Sequence, residues 1–318
     1  MYIEQAFKGR FQIWRYILGT IIIVLGMFVG QLPLVGAIMA KYGVYGMQQF
    51  SDEASLMKAL DSNLTFFLIL LSFAVALLVL LFVVKVLHKQ TITSLTTSRK
   101  KIDWRRFWFS FSVIAVLNIV MVLVDCFIIN PENYEFHFQL KPFLILTVIA
   151  IVMIPLQTSF EEYLFRGYLM QGIGANMRYK WVPLVITSVV FGGLHYSNPE
   201  VSQMGDLVMV TYIGTGFMLG IMTLMDEGLE LSLGFHSANN LVASLLVTAD
   251  WTAFNTESIF KDVSKPVAGW DVWIGVLVIY PLILIIYAKR YQWNNWRNKL
   301  FGRVEKPVVS NTISEDIS

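Results

Sequence analysis

Three groups of polar residues interrupt long apolar stretches in the second half of this 318-residue chain. Ionisable side chains are costly inside a membrane, so their default interpretation there is a functional site or a paired structural charge. The set combines carboxylates, imidazoles and an amide, which together can perform acid–base chemistry at a carbonyl group. The six side chains are Glu161, Glu162, Arg166, His195, His236 and Asn240.

Helical spacing places some of these side chains on a common face. Residues four positions apart lie one above the other on a helix, so Glu162 should lie over Arg166 and His236 over Asn240. Glu161 and Glu162 point about 100° apart, so that one can pair with the arginine while the other faces the bundle interior. The Glu162–Arg166 pair can be structural or can take part in the chemistry, and both interpretations stay open.

A glutamate and a histidine from different helices can activate a water molecule, the carboxylate accepting its proton and the imidazole orienting its oxygen. A second histidine and an asparagine amide can donate hydrogen bonds to the oxyanion that forms on an attacked carbonyl group. These four groups suffice for hydrolysis of a peptide bond. A zinc ion held by Glu161, His195 and His236 is the alternative, because catalytic zinc commonly has three protein ligands and a water. The helical His-Glu-x-x-His arrangement is absent, so we favour a reaction without a metal or other cofactor.

The elements that must position these groups are transmembrane helices. Hydrophobic residues make up 56% of the chain and charged residues 14%, and only helices or closed barrels satisfy their backbone groups in lipid. We predict an all-α polytopic membrane protein with a bundle of about eight transmembrane helices. The apolar stretches are residues 16–40, 64–84, 107–124, 142–170, 182–197, 207–225, 231–249 and 270–288.

The basic residues predict the orientation of these helices. With eight spans and an inside N-terminus, most of the 24 lysines and arginines fall in loops on one side, and such loops remain cytoplasmic. Both termini are therefore expected in the cytoplasm. The net charge of +2 gives no reason to expect a nucleic-acid partner.

Residues 1–303 are predicted to form a single transmembrane domain, with the polar motifs in a core at about 142–250. Residues 304–318 are predicted to be a disordered cytoplasmic tail. His88 and His137 fall in loops, where we expect solvated surface. Glycines in the sixth span are expected to permit close helix packing, and they are Gly214, Gly216 and Gly220.

The three motifs resemble those of a known family. Glu-Glu-x-x-x-Arg, Phe-x-x-x-His and His-x-x-x-Asn, in this order on late membrane helices, resemble the motifs of the CAAX protease and bacteriocin-processing (CPBP) family, which includes the type II CAAX prenyl endopeptidases. The resemblance covers about residues 142–250. The family is often labelled as metalloprotease, so the resemblance leaves the zinc alternative open.

The resemblance implies a role for each motif residue. Glu161 corresponds to the catalytic glutamate and His195 to its water-activating partner, while His236 and Asn240 correspond to the oxyanion-stabilising pair. The remaining fixed positions of the first motif, which we take as supporting residues, correspond to Glu162 and Arg166.

The predicted function is that of an intramembrane endopeptidase in a bacterial cell (inner) membrane. Its partners would be membrane lipids and a membrane-associated peptide or protein substrate. One alternative is a non-enzymatic immunity or regulatory protein of the same fold. A proton-coupled transporter is less consistent with the sequence, which shows no internal repeat.

Overall fold

The computed structural model describes residues 1–50, 55 and 58–306. Six helical segments in this part are long and apolar enough to cross a membrane. This confirms the prediction of an all-α polytopic membrane protein. The segments are Ile13–Gly46, Ser62–Val86, Trp104–Ile129, Leu140–Met177, Asp206–Asp226 and Trp270–Tyr291.

We number the main helices along the chain. They are α1 (Ile13–Gly46), α2 (Ser62–Val86), α3 (Trp104–Val124), α4 (Leu140–Glu162), α5 (Met170–Met177), α6 (Trp181–Gly193), α7 (Met209–Asp226), α8 (Glu230–Leu246), α9 (Trp270–Ile274) and α10 (Tyr280–Tyr291). Three π-helical segments extend or join them, Asp125–Ile129 after α3, Tyr163–Leu169 between α4 and α5, and Gly275–Ile279 between α9 and α10. Shorter helical segments are Ile3–Lys8, Ile92–Thr96, Pro199–Met204 and Trp296–Phe301.

Aspartate side chains cap the N-termini of two of the long helices. The Asp61 side chain accepts hydrogen bonds from the backbone N–H groups of Asn63 and Leu64 at the start of α2. The Asp103 side chain accepts one from Arg105 at the start of α3. Each cap satisfies N–H groups that have no partner within the helix, and it fixes the residue at which the apolar stretch becomes helical.

The fifth and seventh predicted spans are shorter helices than expected. The fifth is α6, of 13 residues, and the seventh is α8, of 17 residues. The prediction that the fifth helix includes His195 is wrong, because α6 ends at Gly193 and His195 lies in the following turn. Two adjacent glycines and then Pro199 account for this ending, since neither residue type favours a continuing helix. The count of eight membrane crossings stays a prediction.

A small sheet, absent from the sequence-based prediction, lies among the connecting segments. Its strands are β1 (Tyr134–Phe136), β2 (Val247–Ala249) and β3 (Phe260–Asp262), in the order β1-β3-β2. Strand β3 pairs antiparallel with β1 and parallel with β2. The seventh predicted span therefore ends too late, because the chain becomes extended after Leu246 and its backbone groups bond to β3 instead of continuing the helix.

Glycines allow close packing of α7, as predicted. A Cβ atom on Gly216 would lie 2.6 Å from the carbonyl oxygen of Ser188 in α6. One on Gly220 would lie 2.5 Å from the Leu184 side chain, and one on Gly214 would lie 2.8 Å from Val276. Larger residues would therefore push α7 away from its neighbours, which is the usual role of small residues between membrane helices.

His88 is not solvated, in contrast to the prediction. It is 1% exposed, its Nδ1 lies 2.7 Å from the Arg10 carbonyl oxygen, and its Nε2 lies 2.9 Å from the Tyr168 hydroxyl. Burial lowers the pKa of its imidazole. This histidine is buried although its loop is basic, because residues near the N-terminus cover the imidazole ring. His137 is half-buried, 3.7 Å from Glu257.

The stretch predicted to be a disordered tail begins with an ordered residue. Val304 is 2% exposed, and its backbone N–H donates to the Arg178 carbonyl oxygen at 2.9 Å. Residues 307–318, which make up most of that stretch, lie outside the described part of the chain.

Candidate active site

Adjacent glutamates at the end of α4 have different partners. Glu162 Oε1 accepts a hydrogen bond from Arg166 Nη1 at 2.9 Å, and both side chains are fully buried. The second guanidinium nitrogen, Nη2, donates to the Gly216 carbonyl oxygen at 3.2 Å. The guanidinium carbon lies 4.2 Å from the centre of the Phe191 ring. Arg166 thus connects α4 to α6 and α7, and the predicted contact between residues four apart is present.

His236 lies between the two glutamates. Its Nδ1 is 2.9 Å from Glu162 Oε1, and its Nε2 is 3.5 Å from Glu161 Oε2, an ion-pair distance. The contact forms because α8 packs directly against α4. Because each ring nitrogen faces a carboxylate, an imidazole protonated on both nitrogens would donate one hydrogen bond to each glutamate.

Gln157 joins Glu161 to Asn240, and its role was missed in the sequence. Its Nε2 donates to Glu161 Oε1 at 2.6 Å, and its Oε1 accepts a hydrogen bond from Asn240 Nδ2 at 3.1 Å. The side chain is 4% exposed. A spacing of four residues before Glu161 was the available signal, since such residues share a helix face. Through Gln157, side chains of α4 and α8 form one network.

His195 approaches this network from the turn after α6. Its Nδ1 lies 2.8 Å from the Phe191 carbonyl oxygen, and its ring stacks on Tyr212 with centroids 4.5 Å apart. Since Nδ1 must donate to a carbonyl oxygen, a neutral ring leaves Nε2 as a hydrogen-bond acceptor. Within the described residues, no hydrogen bond or ion pair joins His195 to Glu161.

Phe191 contacts both His195 and the other site residues. Its ring centre lies 4.8 Å from that of His195 and 6.1 Å from that of His236. The Arg166 guanidinium group also lies over this ring. The phenylalanine of the second motif therefore has a physical role, because it orients one histidine through its carbonyl group and contacts the other through its ring.

Two further amides extend the network. Asn239 Nδ2 donates to Asn240 Oδ1 at 3.1 Å, and Asn118 Nδ2, from α3, donates to Asn239 Oδ1 at 3.1 Å. Asn239 is exposed, whereas Asn118 and Asn240 are half-buried. The end of the network at Glu162 and Arg166 is thus buried, whereas the end at the asparagines is open to the surroundings of the protein.

The proposed zinc ligands do not form a compact group. In the part of the chain that the structure describes, no group of three or more His, Cys, Asp or Glu residues is arranged so that it could hold one metal ion. Glu161 and His236 are neighbours, but His236 Nδ1 is engaged by Glu162, and His195 is held against Phe191 and Tyr212. The residues present therefore do not fit a three-ligand zinc centre in this arrangement.

Comparisons with known proteins give two matches. Residues 140–242 match the family model described as type II CAAX prenyl endopeptidase Rce1-like. That range includes all six predicted site residues. The chain is also 30% identical, over 295 residues, to uncharacterized protein YyaK of Bacillus subtilis (strain 168), an alignment that covers 90% of this chain and 96% of the relative. No solved structure matches the chain.

Proposed function

Since this chain belongs to the CAAX protease family, as its match to the type II CAAX prenyl endopeptidase Rce1-like model indicates, we propose that it hydrolyses a peptide bond in a membrane-associated protein or peptide. One observation carries the proposal. Glu161 and Asn240 both bond to Gln157, and His236 lies 3.5 Å from Glu161, so that α4 and α8 present a base and two possible hydrogen-bond donors together.

In the proposed mechanism, Glu161 accepts a proton from a water that His195 Nε2 orients. The water oxygen attacks the carbonyl carbon of the scissile bond, and the carbonyl oxygen becomes an oxyanion. His236 Nε2–H and the Asn240 amide donate hydrogen bonds to this oxyanion. When the intermediate collapses, the C–N bond breaks and Glu161 returns the proton to the leaving amine. Glu162 acts indirectly, because it bonds to His236. Arg166 also acts indirectly, because it holds α6 through its contact with Phe191.

The substrate can be found by comparing membranes from three strains, which produce wild-type protein, Glu161→Gln or Glu132→Gln. Glu132 is an exposed glutamate outside the network and serves as the matched control. Proteomic analysis should detect cleaved peptides that depend on Glu161 and not on Glu132. Identical peptide sets in all three strains would favour the immunity or regulatory alternative.

We also propose eight membrane crossings with both termini in the cytoplasm of a bacterial cell, because most basic residues then lie inside. Single cysteines can test this in a Cys126→Ala background, since Cys126 is the only cysteine and is buried. Cysteine at exposed Lys100 should resist a membrane-impermeant maleimide in intact cells, whereas cysteine at exposed Glu132 should react. Labelling at position 100 from outside would contradict the proposed orientation.

We further propose that the reaction needs no metal ion. The purified protein should therefore hydrolyse peptide at an unchanged rate after extended treatment with a chelator. Elemental mass spectrometry on the same sample would measure bound zinc. Stoichiometric zinc, with activity that disappears on its removal and returns with zinc, would replace this mechanism by the one with Glu161, His195 and His236 as ligands.

A further inference from the structure

The asparagines at the open side of the site lie in an unusual position for polar side chains. In α8, residues 230–238 are all buried, and the exposed positions that follow are Asn239 and Ala243. These two residues are four apart and therefore form one strip on the helix surface. The strip lies next to α3, because Asn239 accepts a hydrogen bond from Asn118 of that helix.

The surface around this strip is apolar. On α3, Met121 lies about one helical turn after Asn118 on the same face and is 46% exposed. This α3 segment belongs to an apolar helix long enough to span a membrane. An amide group that faces lipid is costly unless its hydrogen-bonding groups have partners. The two asparagines bond to each other, but that contact uses only part of their capacity. Each carboxamide has two N–H donors and an oxygen that can accept two hydrogen bonds.

We propose that Asn118 and Asn239 bind the backbone of an unwound substrate segment next to the scissile bond. This inference rests on the proposed protease function. A peptide must leave its helical conformation before its carbonyl groups become accessible, and lipid offers no partners for the N–H and C=O groups that are then exposed. Carboxamides supply both donors and acceptors, so they bind backbone of any sequence. Ala243, with its small side chain, leaves room for the segment along the strip.

The position of the asparagines relative to the catalytic groups supports this assignment. Asn239 donates to Asn240, which is proposed to stabilise the oxyanion. A segment bonded to Asn118 and Asn239 would thus lead directly to the reacting carbonyl. A purely structural link between α3 and α8 would not require exposure, and Ser110 already provides a buried one through its 2.7 Å hydrogen bond to the Leu231 carbonyl oxygen.

The test combines a protein variant with altered substrates. The probe is an internally quenched peptide that spans a Glu161-dependent cleavage site found in the proteomic comparison, with single N-methyl groups placed in turn on the backbone nitrogens that flank the scissile bond. Asn118→Leu should raise KM about 5-fold with little change in kcat, because one net hydrogen bond is lost. At one position, N-methylation should raise KM similarly in wild-type protein and should have no further effect in Asn118→Leu. Thr147→Val, which removes a half-buried hydroxyl from α4, should behave as wild-type protein.

Each outcome decides the matter. If Asn118→Leu changes only the unfolding temperature, and all N-methyl effects persist in it, the asparagines merely link helices and the proposal is wrong. If Asn118→Leu does not fold, the N-methyl series on wild-type protein still decides. An unchanged KM at every N-methylated position would then contradict backbone binding. Failure of wild-type protein to cleave the probe, or equal cleavage by Glu161→Gln, would overturn the proposed function together with this inference.

Discussion

Purified Glu161→Gln protein should retain only about one hundredth to one ten-thousandth of the wild-type rate of peptide hydrolysis, the range that removal of a general base typically produces. It should also unfold at nearly the wild-type temperature. The glutamine side chain has the same shape, and its carbonyl oxygen can still accept the hydrogen bond from Gln157. Because Arg166 bonds to Glu162, the exchange leaves no buried arginine without its partner. Initial rates and thermal unfolding in detergent would measure both properties.

Glu162→Gln is the matched control, because it makes the same chemical change one residue away. Glu162 is fully buried and bonds to both Arg166 and His236. Loss of its charge should therefore lower the unfolding temperature, which Glu161→Gln should not do. If Glu161→Gln keeps full activity, Glu161 is not the base. If the two variants have the same effects on rate and stability, the distinct roles assigned to the two glutamates are wrong.

Contacts within one helix could be predicted from the sequence. The Glu162–Arg166 pair follows from helical periodicity alone, because four residues nearly complete one turn. The direction of Glu161, away from that arginine, follows from the same geometry. Apolar length likewise predicted the long helices, since lipid imposes both helical structure and a minimum span on the chain.

Contacts between helices could not be predicted in this way. Both the lipid-facing and the protein-facing sides of a membrane helix are apolar, so periodicity does not show which side meets a neighbour. The sequence placed Asn240 on the same face as His236 but did not reveal that Gln157 would join it to Glu161. The contact of Asn118 with Asn239 has the same origin, because it depends on how α3 packs on α8.

The position of His195 shows a different limitation. Apolar residues continue beyond Gly193, and this continuity suggested a longer helix than the chain forms. The adjacent glycines and Pro199 were signals of an earlier end. The turn allows the His195 ring to stack on Tyr212, a residue of α7 for which the sequence offered no signal. The strands β1 to β3 were missed because each has only three residues.

Arg166→Met should destabilise the protein by about 3–5 kcal/mol, the usual result of removing one partner from a buried ion pair. The change leaves the Glu162 carboxylate buried without its arginine, although His236 Nδ1 still bonds to it. It also removes the donor to the Gly216 carbonyl oxygen and the contact with the Phe191 ring. We expect lower abundance in membranes and a lower unfolding temperature in detergent. Arg105→Met, at an exposed arginine, is the matched control and should change neither.

A double variant can separate two causes of this destabilisation, the uncompensated charge of Glu162 and the lost packing of Arg166. If the buried Glu162 carboxylate causes most of the destabilisation, Glu162→Gln combined with Arg166→Met should be more stable than Arg166→Met alone, because no unpaired carboxylate remains. If the contacts of Arg166 with Gly216 and Phe191 matter more, the double variant should be no more stable than the single one. Wild-type stability in Arg166→Met itself would contradict both explanations. That outcome would mean that the ion pair is retained for chemistry, as the sequence alone had left open.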